Sequence, residues 1–274
     1  MKETKNTFTI FVSSSDGFED CWHPFFTLFE KFWSNCKYPI LLNTEYKDFS
    51  FKDLNIISTK AQSKILDREL SWCERFIKTL EQAKTPLILY FQEDYFLDMP
   101  VNVEFIEKVA DLMLNNPEIK RVGLVTNDAI GKLSPSEYPE LWEISMSARY
   151  IISTQTSLWR KDALLEYLHP EENIWMFEIF GTWRARKRKE KFLSLNRNMF
   201  VDNNKIVSYL HTGVIKGKWH PEIPKLFKDN NIEVDFTKRG FYNLNIPTLK
   251  RKIETFRTLL SSPKLFFKAL YESI

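Results

Sequence analysis

Glycine is scarce in this chain. Only 7 of 274 residues are Gly, which argues against a collagen-like or Gly-rich linker character. Cysteine is scarcer: Cys21, Cys36 and Cys73 are odd in number and widely spaced. They give no metal-ligand pattern and no disulfide framework, so a reducing cytoplasm is the expected compartment. No apolar run reaches the ~18–20 residues of a membrane span. The opening MKETKNTFTI lacks the apolar segment of a signal peptide. There is no Gly-x-Ser-x-Gly elbow, no Walker lysine loop, no dinucleotide glycine fingerprint and no Cys beside a conspicuous His. Those absences take α/β hydrolases, P-loop kinases and simple dehydrogenases out of the front rank. Net charge is small as well. With 39 basic and 36 acidic side chains the total is +3, which by itself predicts no strongly anionic partner.

What is abundant is aromatic carbon. Aromatics make up 15% of the chain, with 23 Phe and 8 Trp, beside 43% hydrophobic and 27% charged residues. That balance belongs to a soluble globular protein with a sizeable core. Phe8–Ser13 reads as a strand ending in the polar turn Ser13-Ser14-Ser15-Asp16-Gly17. Trp22, Phe25, Phe26, Phe29, Phe32 and Trp33 then recur at helical spacing. Tyr38–Asn43, Leu54–Ile57, Leu87–Phe91 and Arg121–Thr126 read as further strands. Helices are expected over 67–85, capped by Ser63 or Asp67, and over 103–114. Such alternation predicts an α/β fold with a mainly parallel sheet flanked by helices. Ligands of such sheets bind beyond the carboxyl ends of the strands. The second half is less regular: strands are expected at 150–158 and 205–211, and helices at 161–168 and 175–191.

Four constellations carry chemistry. Glu93 and Asp94 follow the apolar strand Leu87–Phe91 directly. Paired hard oxygens of this kind suit Mg²⁺ or Mn²⁺ when a diphosphate supplies the other ligands; the competing reading is a solvated acid pair. Glu178 stands among apolar residues in Trp175-Met176-Phe177-Glu178, where burial raises a carboxyl pKa and suits it to general-base work. Its alternative is an ion pair with Arg184 or Arg186. The run from Arg184 to Lys191 carries six positive charges and one negative; it is a solvated helix face or a contact for phosphates or an anionic membrane. Finally, His211 and His220 flank two glycines and are candidates for a metal or phosphate contact. Trp72 and Arg75 lie three apart on the helix before Leu87–Phe91; Arg75 could reach a phosphate or a carboxylate at the sheet edge, and its alternative is an exposed ion pair.

The segment LILYFQEDYFL, residues 87–97, resembles the Asp-x-Asp or Glu-Asp segment of GT-A nucleotide-sugar glycosyltransferases. Residues 155–164 resemble their acceptor-side strand and helix, and Trp175–Glu178 with Arg184 the catalytic-base segment. Bacterial capsule and lipopolysaccharide transferases share this layout. The resemblance implies a single GT-A-like domain over 1–246, with a nucleotide-binding half to about residue 126 and an acceptor half after it. It implies a UDP-sugar as the donor and a glycan or lipid-linked saccharide as the acceptor. Ser13, Ser14, Asp16, Thr44, Glu45, Trp72, Arg75, Glu93 and Arg184 would contact the donor. Asp94 and His211 would hold Mn²⁺ or Mg²⁺, and Glu178 would be the base of an inverting transfer. Trp159 and Trp175 could stack on acceptor sugars. Two departures stand out: Gln92 occupies the place of the first acid, and Ile179 follows Glu178 where a second acid is usual. The alternative is a non-catalytic nucleotide- or nucleic-acid-binding protein on a similar α/β fold, although the near-balanced charge predicts no nucleic-acid partner. A nucleotidyltransferase would need a Gly-rich, Arg-bearing loop after the first strand, where this chain has Ser13–Gly17.

The charge total divides unevenly. Residues 247–274 carry +4 and residues 184–191 carry +5, which leaves −6 for the rest. The C-terminal stretch interleaves its charges with Phe256, Phe266, Phe267 and Tyr271. A basic amphipathic helix on the inner face of the cell membrane, or a helix packed on the body, is expected there.

Overall fold

The computed structural model of the chain describes residues 7–62, 68–129, 131–210, 212–245 and 263–273. One nine-stranded sheet organises them, in the order β3-β2-β1-β4-β8-β5-β9-β7-β6. Its strands are β1 (Phe8–Ser13), β2 (Ile40–Leu42), β3 (Ile56–Ser58), β4 (Leu87–Gln92), β5 (Ile119–Gly123), β6 (Leu133–Pro135), β7 (Leu141–Ile144), β8 (Ser157–Arg160) and β9 (Lys191–Leu195). Only β7 and β8 run against the rest. The mostly parallel sheet and its helical cover match the α/β expectation. Strand β8, from the second half of the chain, sits between β4 and β5 from the first, so both halves share one sheet.

Side-chain alternation explains the layers. Along β4, Leu87, Leu89 and Phe91 face one core and Ile88 and Tyr90 the other. Helices α1 (Glu19–Phe32) and α3 (Val103–Asn115) cover the first face. Helices α2 (Trp72–Glu81), α4 (Lys161–Tyr167) and α5 (Ile174–Arg188) cover the second. A strand buried on both faces reads as a continuous apolar run, which is why LILYF is so legible.

Several expectations are corrected. Helix α2 starts at Trp72, with Ser71 and Glu74 forming a reciprocal capping box; Ser63 and Asp67 lie outside the described residues. Residues 150–156 are not a strand. The N–H groups of Ile151 and Ile152 both donate to Thr182 Oγ1 at 3.1 Å, so a side chain replaces a ladder there. Residues 205–210 form no strand beyond an isolated bridge between Tyr209 and Leu97. Helix α5 ends at Arg188 because Lys189 takes a left-handed conformation, φ 53°, and the chain turns into β9.

After β9 come a short hairpin, β10 (Val214–Ile215) and β11 (Lys218–Trp219), and helix α6 (Ile223–Asp229). Of the expected C-terminal extension, residues 263–273 are described. The helix Pro263–Ser273 packs on α5, where Ala269, Leu265 and Phe266 meet Met176 and Phe180. No helix among the described residues is long and apolar enough to cross a membrane.

Candidate active site

Strands β1 and β4 are parallel neighbours, and their carboxyl ends bring Ser13 beside Gln92. The chain then turns at Ser14–Asp16 and at Glu93-Asp94. The Glu93 N–H donates to the Ser13 carbonyl at 3.2 Å, which ties the two exits together. Over this edge lies a cleft of about 570 Å³. Ser13, Ser14, Trp72, Arg75, Glu93, Asp94 and Glu178 all line it. So the seven residues come from the β1 exit, α2, the β4 exit and α5, and the fold gathers them as the α/β edge rule requires.

Asp94 is buried at 5% exposure. Its Oδ2 accepts from Thr212 Oγ1 at 2.5 Å and from the Val214 N–H at 2.9 Å. Its carbonyl accepts from the Gly213 N–H at 3.0 Å. A Cβ at Gly213 would stand 2.3 Å from the Phe96 ring and 2.7 Å from that same carbonyl, so only glycine permits the approach. Asp94 Oδ1 is buried without a hydrogen-bond partner, an acceptor that a cation would satisfy. Burial raises the Asp94 carboxyl pKa against the opposing bonds from Thr212 and Val214. Glu93 is pushed well above the usual carboxylate range, by burial first and by Asp94 second. Among the described residues no three His, Cys, Asp or Glu side chains converge as a metal cluster. A cation here would draw protein ligands from Asp94 and Glu93, with waters and phosphate oxygens completing the shell. His211 lies outside the described residues.

Glu178 sits half-buried on the first turns of α5, a helix capped by Asn173. Its Oε1 accepts from the Thr154 N–H at 2.7 Å and from Thr154 Oγ1 at 2.8 Å. Burial raises its pKa, and the Thr154 bonds oppose that rise. Neither arginine competes for it: Arg184 binds Glu172 with two bonds of 2.6 and 2.8 Å, and Arg186 donates to the carbonyls of Met146 and Ala148. Thr154 is itself braced. Tyr95 Oη donates to its carbonyl at 3.0 Å, and Tyr95 stacks on Tyr209 at 4.4 Å. Tyr209 Oη in turn donates to Gln155 Oε1 and accepts from the Thr156 N–H, both at 3.1 Å.

Of the other predicted donor contacts, Asp16, Thr44 and Glu45 do not line the cleft. Asp16 and Glu45 clasp each other: Asp16 accepts from the N–H groups of Glu45 and Tyr46 at 2.9 and 3.0 Å, and the Asp16 N–H donates to Glu45. Thr44 is fully buried and its Oγ1 accepts from the Lys60 N–H. Arg75 is held by the Leu70 carbonyl at 2.6 Å and by Glu45 at 3.4 Å. Arg184 does not line the cleft, and its pairing with Glu172 is structural. Farther along the basic run, Arg188 pairs with Glu166 and Lys191 with Glu137. Trp159 is core, 1% exposed, whereas Trp175 is 39% exposed at the cleft.

The sequence reading missed Asp128, Tyr150, Thr154 and Lys216, all of which line the cleft. Asp128 had a signal. Arg121 is a charged residue inside a buried strand and needs a partner. Asp128 is the next acid after it, and Arg121 binds it with two bonds, one of 2.8 Å, at zero exposure.

No family model and no curated protein matches the sequence. Among solved structures the chain is similar to S. aureus TarS at 13% identity, over 85% of this chain and 41% of that one, with a TM-score of 0.44. A second structure, S. aureus TarS 1–349, is 14% identical over 85% and 68%, at 0.45. The CMP:2-keto-3-deoxy-manno-octonic acid synthetase complexed with CTP is 12% identical over 69% and 89%, at 0.40. At such identities and scores the chemistry has to be argued from this chain's own residues.

Proposed function

We propose that the chain is a GT-A-like glycosyltransferase that moves a sugar from a nucleotide-sugar donor to a hydroxyl of a glycan or lipid-linked acceptor, with inversion. One observation carries this reading: Glu178, raised in pKa and oriented by Thr154, shares a single cleft with the Glu93-Asp94 pair. Both Thr154 bonds go to Oε1, so Oε2 takes the acceptor proton. The acceptor oxygen attacks the anomeric carbon as the bond to the diphosphate breaks, and a single displacement inverts that carbon. Residues 1–246 would act as one catalytic unit, and the exposed Trp175 would face an acceptor sugar.

A divalent ion, Mn²⁺ or Mg²⁺, would be held at the unpartnered Asp94 Oδ1 beside Glu93. Its contribution when bound is to offset charge on the leaving diphosphate. A UDP-sugar remains the preferred donor. Thermal-shift titration with UDP, GDP, CDP and CMP, with Mn²⁺ and with EDTA, tests the reading. At least one nucleotide should raise the midpoint, and more so with the ion. No shift with any of them contradicts the function, and an equal shift in EDTA removes the ion alone.

Lys264, Phe267 and Tyr271 lie on one side of the C-terminal helix, and Phe267 and Tyr271 are 64% and 83% exposed. With the basic character of 247–274, this face supports peripheral contact with an anionic membrane, which would bring a lipid-linked acceptor near the cleft.

A further inference from the structure

We propose that Tyr209 is a positioning residue whose hydroxyl holds the Glu178 carboxylate in fixed register with the Glu93-Asp94 pair. The inference rests on the glycosyltransferase reading and adds to it a residue that does not line the cleft. An inverting displacement needs the base on one side of the reacting carbon and the groups that support the leaving diphosphate on the other. A misplacement of about 1 Å costs about a hundredfold in rate. Here the base and the acid pair stand on different elements, α5 and the β4 exit, so something has to tie them together.

The tie runs through the segment that carries Thr154, which has no strand ladder of its own. Side chains order it from two directions. From α5, Thr182 takes the N–H groups of Ile151 and Ile152, and Glu178 takes the Thr154 N–H. From the β4 exit, Tyr95, the residue after Asp94, donates its hydroxyl to the Thr154 carbonyl at 3.0 Å. Gln155 Nε2 donates to Tyr95 Oη, Tyr209 Oη donates to Gln155 Oε1, and the Thr156 N–H donates to Tyr209 Oη, each at 3.1 Å. A hydroxyl has one hydrogen to give. With the Gln155 amide turned the other way, Tyr95 would have to donate to Gln155, and the Thr154 carbonyl would lose its donor. Tyr209 therefore fixes the amide, and the amide fixes where the Tyr95 hydroxyl points. The same stretch of chain grips the acid pair. Tyr209 stacks on Tyr95 at 4.4 Å with the ring planes 7° apart, and its backbone bridges to Leu97. Thr212 and Val214, just beyond it, bind Asp94 Oδ2, and the Gly213 N–H binds the Asp94 carbonyl. Without the Tyr209 hydroxyl, Gln155 Oε1 and the Thr156 N–H lose their shared partner, and Thr154 and Glu178 are released to shift against Asp94.

The test compares wild type, Y209F, E178Q and the double variant as full chains. Turnover and calorimetric titration are measured with a nucleotide sugar that wild type consumes. Phe keeps the ring on Tyr95 and removes only the hydroxyl. The expected result is a kcat about tenfold lower in Y209F with an unchanged donor Kd. In the E178Q background the same change should have no further effect on kcat, because the group that Tyr209 positions is gone. Tyr95→Phe, which deletes the bond to the Thr154 carbonyl, should give the same pattern, and it takes the place of Y209F if that variant does not fold. A Y209F kcat within about twofold of wild type overturns the assignment. An equal fall in both backgrounds also overturns it, as an effect that does not pass through Glu178. So does a donor Kd weakened by the same factor as kcat. Each of these leaves the glycosyltransferase reading standing. If wild type consumes no nucleotide sugar, that reading fails and the role of Tyr209 falls with it.

Discussion

Thr154 gives Glu178 two hydrogen bonds, 2.7 Å from its N–H and 2.8 Å from its hydroxyl, and both end on Oε1. One oxygen is thereby fixed and the other presented. The bonds also favour the ionised form, against burial. Changing Thr154 to Val keeps the N–H bond and deletes the hydroxyl bond. We expect kcat to fall about tenfold and the acid limb of the kcat/KM profile to move to higher pH, because the carboxylate loses a stabilising partner. Thr154→Ser should restore both. A pH–rate series on the three proteins checks this, and an unmoved acid limb in T154V refutes it.

Glu93 makes a stability prediction. Its folded-state pKa is raised, chiefly by burial. A raised carboxyl favours folding while protonated, and that contribution is lost as pH rises through the folded pKa. At neutral pH the buried Glu93 therefore costs stability. Glu93→Gln should raise the melting midpoint at pH 7 by about 2–4 °C, the shift given by ~1 kcal/mol in a chain of this size. The gain should shrink toward pH 4. Melting curves of both proteins across that range decide it; a lower midpoint for E93Q at pH 7 would mean that its charge is held by attraction instead.

A third prediction concerns Gly123. A Cβ there would stand 1.9 Å from Asp128 Oδ2, inside the carboxylate that binds Arg121. Gly123→Ala must displace Asp128 and leave a guanidinium unpaired at zero exposure. Breaking such a pair costs about 3–5 kcal/mol. Urea unfolding should show a loss of that order; a change within ~0.5 kcal/mol would show that Asp128 can move freely.

The C-terminal helix yields a fourth. The full chain should co-sediment with vesicles rich in anionic phospholipid at low salt and be released by salt. Replacing Phe267 and Tyr271 with Ser should weaken binding without lowering the melting midpoint, because both side chains are exposed. Failure of the wild type to co-sediment at low salt removes the membrane from the account.

Where one element carries its own pattern, the sequence was easy to read. The stripe Trp22, Phe25, Phe26, Phe29 became the buried face of α1, and LILYF became a central strand. The acid pair and Glu178 were found because a charge beside long apolar runs is conspicuous. The stretches 150–156 and 205–210, misread as strands, are apolar because they lie under other elements, while their backbone groups are met singly. The Ile206 carbonyl accepts from the Asn102 N–H, for example. Thr154, Tyr95 and Tyr209 form their network across 59 and 54 residues of chain, a separation that no local pattern records. Lys216 sits between strands of two residues each, too short for alternation to show. Arg184 misled for the opposite reason: its basic neighbours suggested an anion site, but Glu172, twelve residues earlier, claims it.

The central claim is that Glu178 deprotonates an acceptor hydroxyl in a cleft that holds a nucleotide sugar. Release of nucleoside diphosphate from a panel of nucleotide sugars, with saccharide and lipid-linked acceptors, tests it directly in wild type and Glu178→Gln. The account predicts that wild type consumes at least one donor and that E178Q is slower by about 10²–10⁴-fold, while still binding that donor. Turnover by E178Q within a few fold of wild type, or no donor consumed by wild type, would contradict it.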